Sequence, residues 1–117
     1  MKPNEVSRTQ VSTEQLEVII YLKPEHFWFK GHFDAQAILP GVAQIDWVIN
    51  YAKNTLLPGY RFQSIHSVKF NRPLLPQDTI TLTLQWNFQK QVLSFTYHQH
   101  RNAEKLVASS GQIRLCQ

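Results

Sequence analysis

Cysteine is nearly absent from this chain. Cys116 is the single one among 117 residues, so no disulfide can close within it, and a reducing, cytoplasmic setting is expected. Glycine occurs four times and never in a cluster, which leaves no phosphate-cradling loop. No Gly-x-Ser-x-Gly motif offers a serine nucleophile, and Cys116 lies too near the last residue to suggest a thiol one. No apolar run approaches the roughly 20 residues of a membrane-spanning helix. Residues 1–10 are mostly polar and lack an apolar stretch, so no signal peptide is expected. Runs of like charge are missing too. Twelve Lys and Arg face eight Asp and Glu, a net charge of +4, but the cations are scattered from Lys2 to Arg114. That spread argues against a nucleic-acid partner and suits a mildly basic surface meeting an acidic protein or an anionic ligand.

What is present is apolar patterning. The length fits one domain over residues 1–117, with residues 1–13 polar and expected to be flexible. Leu16, Val18, Ile20 and Leu22 alternate with Glu17, Ile19 and Tyr21, the period of a half-buried strand that Pro24 ends. After an aromatic segment, His26 to Phe29, the Pro40-Gly41 pair predicts a helix start, and Pro58-Gly59 a stop after about Leu57. That helix is apolar around most of its circumference and is expected to be covered on nearly every side. Asp46, Asn50 and Lys53 form one narrow polar stripe on it. Beyond it the chain reads as β: strands over 61–70, 79–86, 92–101 and 105–115, joined by a proline-bounded connection at 71–78 and two tight turns. The small residues Ala108, Ser109, Ser110 and Gly111 mark a place for close packing. One long helix and about five strands imply an α+β fold, a curved antiparallel sheet wrapped around the helix. So small a monomer has little room for a deep cavity, so a long ligand would need two copies.

Three residues stand out for chemistry. His32 follows Gly31 and precedes the helix start, and a neutral imidazole is suited to removing a weakly acidic proton. Asp46 is a lone carboxyl between Ile45 and Trp47. It reads equally well as a solvated stripe residue or as one facing a partner or pocket. In the second case, a carboxyl that keeps its proton near neutral pH can deliver it to a leaving hydroxyl. Gly41 offers a backbone N–H at the positive end of the helix, where it could hold a carbonyl oxygen as charge develops there. His98 and His100 share one strand face, but no third ligand follows at a telling spacing and no metal site is expected. His26 and His66 read as structural.

Gly31-His32-Phe33, followed by Ile38-Leu39-Pro40-Gly41-Val42, resembles the signature of hot-dog-fold 3-hydroxyacyl-acyl-carrier-protein dehydratases. A second stretch, Val68 to Asp78, is similar to that family's strand and turn after the helix. The resemblance spans about Leu16 to Leu115. It implies a hot-dog fold, with His32 as catalytic base, Asp46 as catalytic acid of the Asp-type branch, and Gly41 N–H on the thioester carbonyl. It further implies that base and acid of one site come from two subunits, so the working unit is a dimer. The acyl chain would lie along Phe33 and Trp47, beside Pro40 and Val42. No metal or redox cofactor is implied. The implied partner is acyl carrier protein, docking on basic residues such as Lys30, Lys69 and Arg72. The implied reaction is loss of water from a 3-hydroxyacyl thioester to give the trans-2-enoyl product, in fatty-acid or polyene-type lipid synthesis. Asp34 and Ala37 stand where the family usually has proline, so this loop is expected to be less rigid. The short form resembles dehydratases of aryl polyene pathways. Two alternatives stay open on the same fold: a thioesterase, in which an acid activates water, and a catalytically silent acyl-binding subunit of a hot-dog heterodimer.

Overall fold

The computed structural model describes residues 2–29 and 37–117. His32 and Phe33, with Lys30 and Asp34, lie outside the described residues.

Six strands form one antiparallel sheet. In chain order the elements are β1 (Asn4–Gln10), β2 (Gln15–Tyr21), a single 3₁₀ turn at Phe27–Phe29, α1 (Gly41–Asn54), β3 (Arg61–Phe70), β4 (Thr79–Asn87), β5 (Val92–Arg101) and β6 (Glu104–Cys116). The order across the sheet is β1-β2-β4-β5-β6-β3. The alternation read in the sequence sets which face is inside. Leu16, Val18 and Ile20 of β2 are fully buried, as are Ile80, Leu82 and Leu84 of β4, and Leu93, Phe95 and Tyr97 of β5 are buried beside them. Ala43, Trp47, Val48, Tyr51 and Ala52 of α1 complete that core.

Tight turns hold the register. Arg101 pairs with Glu104 across a two-residue loop, and both loop residues, Asn102 and Ala103, have positive φ (50° and 67°). That is the backbone twist a two-residue hairpin needs, and asparagine adopts it readily. The β3–β4 connection is fastened from within. Asp78, nearly buried, accepts from Leu75 N–H and from Gln99 Nε2, both at 2.8 Å, and pairs with Arg101 at 2.9 Å. Leu74, fully buried, offers its carbonyl to Leu39 N–H at 2.8 Å, which ties the approach to α1 onto this connection.

Two expectations need correction. Residues 1–13 were expected to be flexible, yet they contain β1, paired with β2 from Asn4↔Tyr21 to Gln10↔Leu16. A polar strand gives no alternation signal. It is held by ladder hydrogen bonds and by Tyr51, whose hydroxyl donates to Glu5 Oε1 at 2.9 Å. Nor is α1 covered on nearly every side: Val42 is 68% exposed, and Asp46, Asn50 and Lys53 follow it on an open stripe. The outer strand β3 is exposed along almost its whole length, with Phe62, Ile65 and Phe70 each 42–51% exposed.

His98, on β5, gives the fold a pH dependence. Its Nδ1 is buried with no partner among the described residues. Burial first, then the nearby Lys105 and His100, hold its pKa below the ordinary histidine value, with Glu17 opposing. The unfolded chain therefore binds this proton more readily than the folded one. Stability from this group is complete above about pH 6.5 and falls as the pH drops below it. The urea midpoint should decline from pH 8 to pH 5, and His98→Gln should flatten part of that decline. Parallel pH curves for the two proteins would contradict this.

Candidate active site

The site begins where α1 begins. Pro40 is the N-cap, at φ −66° and ψ 154°, and it has no side chain able to cap. Ala43 and Gln44 N–H turn back to Pro40 O at 3.0 and 3.2 Å. Among the described residues nothing accepts from the N–H of Gly41 or Val42. A helix start with free N–H groups and no acidic residue in its first turn is electropositive and open to an acceptor. Gly41 is also crowded from outside. A Cβ placed on it would come within 2.6 Å of the Phe70 ring, so the absence of a side chain lets that half-exposed ring lie over the helix start.

Asp46 lies about one turn further along, on the face it shares with Val42. It is exposed in the single chain, and its side chain lines an open groove of about 620 Å³ between α1 and β1. Trp47, Asn50, Tyr51, Glu5 and Arg8 line it too. The β1 wall is a charged clasp. Arg8 donates to Glu5 at 2.8 Å and stands 5.3 Å over the Tyr51 ring. The hydrogen bond from Arg8 lowers the Glu5 pKa, burial opposes it, and the Tyr51 hydroxyl adds to the lowering. Burial, then the bond to Glu5, pushes the Tyr51 phenol well up, so it remains a donor.

Trp47, expected beside the acyl chain, is 2% exposed and packs edge-on against His26 with ring centroids 5.7 Å apart. His26 has partners the sequence did not suggest. Trp28 N–H donates to its Nδ1 at 3.3 Å, which leaves Nε2–H to donate to Lys2 O at 2.9 Å. The structure thus brings Pro40, Gly41, Val42 and Asp46 to one end of α1, with Trp47 beneath them. His32 and Phe33 lie outside the described residues. Of the basic residues considered for docking, Lys69 and Arg72 are exposed, and Arg72 Nε donates to Gln99 Oε1 at 3.2 Å. His100 Nε2 lies 2.6 Å from Thr81 Oγ1, so that ring is already engaged.

Sequence reasoning missed Gln44. It lies on the inner face of α1 and is 3% exposed. Its Nε2 donates to Leu39 O at 3.1 Å, and its Oε1 accepts from Ser109 Oγ at 2.6 Å. Its carbonyl accepts from Tyr97 OH, also at 2.6 Å. The available signal was a glutamine among apolar residues, off the Asp46 stripe.

An antiparallel sheet against one helix that opens on Pro-Gly, with a carboxyl on its exposed face, is the architecture of a hot-dog dehydratase. A family model described as "ApeI-like: ApeI dehydratase" matches residues 8–112, and the chain belongs to that family. It superposes on a chain of the dehydratase heterocomplex ApeI:P from Xenorhabdus doucetiae with a TM-score of 0.91 and 44% identity, covering 100% of both chains. An uncharacterized protein from Erwinia carotovora subsp. atroseptica matches with a TM-score of 0.90 and 42% identity over 98% of this chain and 96% of the other. A FabZ 3-hydroxyacyl-acyl-carrier-protein dehydratase from Colwellia psychrerythraea is 34% identical over 92 residues, 70% of this chain. The chain spans 61% and 44% of the lengths of two of the curated relatives it matches. Among the described residues, no helix is long and apolar enough to cross a membrane.

Proposed function

We propose that this protein removes water from a 3-hydroxyacyl thioester carried on acyl carrier protein, leaving the trans-2-enoyl thioester. The observation that carries the proposal is the helix start: an N–H at Gly41 with no acceptor among the described residues, and a carboxyl, Asp46, on the exposed face one turn on. The thioester oxygen accepts from Gly41 N–H, which stabilises the enolate-like charge formed when His32 takes the proton at C2. Asp46 protonates the C3 hydroxyl as the C–O bond breaks, and water leaves. The proton lost by Asp46 and the one gained by His32 balance, so no redox partner is required. Membership in the ApeI-like family supports the assignment. A cytoplasmic setting remains part of the proposal, on the strength of the lone Cys116. The direct test is mass spectrometry of a 3-hydroxyacyl carrier protein incubated with the pure protein. Loss of one water supports the proposal. Release of free acid and thiol would instead indicate a thioesterase.

We further propose that the chain works beside a second hot-dog subunit, a copy of itself or a related chain. The heterocomplex in which its Xenorhabdus relative was solved favours the related chain, and so keeps open the reading that turnover requires it. The surface that suits such a partner is the free edge of β3. An exposed ten-residue edge strand bearing three large apolar side chains invites pairing with another strand. The opposite edge, β1, is polar or charged apart from Val6. Ile65→Lys should therefore weaken assembly, read as a shift toward single-chain mass in analytical ultracentrifugation, while the isolated fold persists. An unchanged assembly would move the interface elsewhere.

A further inference from the structure

We infer that Gln44 is a positioning residue for the dehydration proposed above: its buried amide holds the segment Leu39–Gly41 and fixes the rotation of α1 that presents Asp46. The usual way to secure a helix start is a Ser, Thr, Asp or Asn cap whose oxygen accepts a first-turn N–H. Such an oxygen would take the N–H groups next to that of Gly41 and set a competing acceptor beside the substrate oxygen. Here the cap is Pro40, which cannot compete and cannot secure the helix either. Gln44 secures it from the far side. Leu39 is fastened at both ends of its backbone, through its carbonyl to Gln44 Nε2 and through its N–H to Leu74 O. The other end of the Gln44 amide is anchored on β6 by Ser109, and the Gln44 carbonyl on β5 by Tyr97. Burial holds the Tyr97 pKa well above its ordinary value, so that hydroxyl keeps its proton and stays a donor. Gln44 and Asp46 are two residues apart, about 200° around the helix. Pinning one side to the sheet therefore sets where the other side points.

An N–H that meets charge developing in the transition state contributes to kcat more than to KM, and a small misplacement of it is costly. The test compares wild type, Gln44→Met and Gln44→Glu on a 3-hydroxyacyl carrier protein, with circular dichroism and thermal unfolding to establish that each variant is folded. Methionine keeps the volume without the hydrogen bonds. Gln44→Met should lower kcat about tenfold or more, with KM within about twofold. Gln44→Glu should show a new pH limb. A protonated carboxyl can still donate to Leu39 O and accept from Ser109, whereas an ionised one cannot donate, so activity should be retained at acid pH and fall as the pH rises. A folded Gln44→Met with wild-type kcat overturns the inference. If that variant does not fold, a wild-type pH profile for Gln44→Glu overturns it. No water loss by the wild type, alone or with a hot-dog partner, overturns the dehydratase proposal and this inference with it. Wild-type turnover with an undisturbed variant overturns this inference alone.

Discussion

Asp46→Asn is expected to lower kcat for dehydration by about 10²- to 10⁴-fold, the usual contribution of a positioned acid, while the protein stays folded. Asparagine keeps the shape of the side chain but has no acidic proton for the departing hydroxyl. The fold should not notice. Asp46 is exposed in the single chain, and the nearest hydrogen bond at this residue, from Asn50 Nδ2 at 2.9 Å, goes to its backbone carbonyl. Surface changes of that kind alter stability by about half a kcal/mol or less. His32→Ala should lose at least about 10²-fold for the complementary reason, that the base is gone. Because the two groups would act in one step, the double variant should be little worse than the worse single one. A homodimeric enzyme with acid and base from different chains predicts one thing more. Mixing the two inactive single variants and letting them exchange should restore activity, since every mixed dimer contains one intact site. Turnover by Asp46→Asn at the wild-type rate would remove Asp46 from the mechanism.

What the sequence disclosed, and what it hid, divides along physical lines. Strands β2, β4 and β5 were legible because one face is apolar at every second residue, and that period survives any detail of packing. The start of α1 was legible because Pro-Gly admits few other readings. The strand β1 was not, because its stability comes from pairing with β2 and from the Tyr51–Glu5–Arg8 clasp, neither of which leaves an apolar signature. Gln44 escaped notice for a related reason. Its partners Tyr97 and Ser109 are 53 and 65 residues away in the chain, and no local pattern marks a buried amide that is satisfied only by the finished fold. At the site, Gly41 and Asp46 lie at one end of the helix as the motif implied. Asp46 is exposed in the single chain, which the solvated reading of the stripe and an acid facing a partner subunit both predict.

The stretch of small residues on β6 leads to the largest expected loss of stability. Gly111→Ala should destabilise the protein by about 1–3 kcal/mol or more, the range for forcing an extra methyl group into a packed site. The added Cβ would overlap the backbone carbonyl oxygen of Ser67 on β3 and come within 2.9 Å of the Phe95 ring. Neither neighbour can yield cheaply. The Ser67 carbonyl belongs to the main chain of a paired strand, next to the irregularity between Ile65 and Ser67. Phe95 is 1% exposed and faces Gly111 across the β5–β6 ladder. Gly41 differs, because there the obstructing atoms belong to the half-exposed ring of Phe70, which can swing away. The strain at Gly111 should be relieved by loosening β3, the last strand of the sheet, which its neighbour β6 alone holds within the sheet. Two measurements follow. The urea midpoint should fall, and amide exchange in Arg61–Phe70 should accelerate more than in β4 or β5. If β3 is also the strand that receives the partner subunit, assembly should weaken along with it. An unchanged midpoint with slow exchange in β3 would mean that the two strands can separate enough to admit a methyl group at no cost, and that the close approach at Gly111 is not what holds β3 in the sheet.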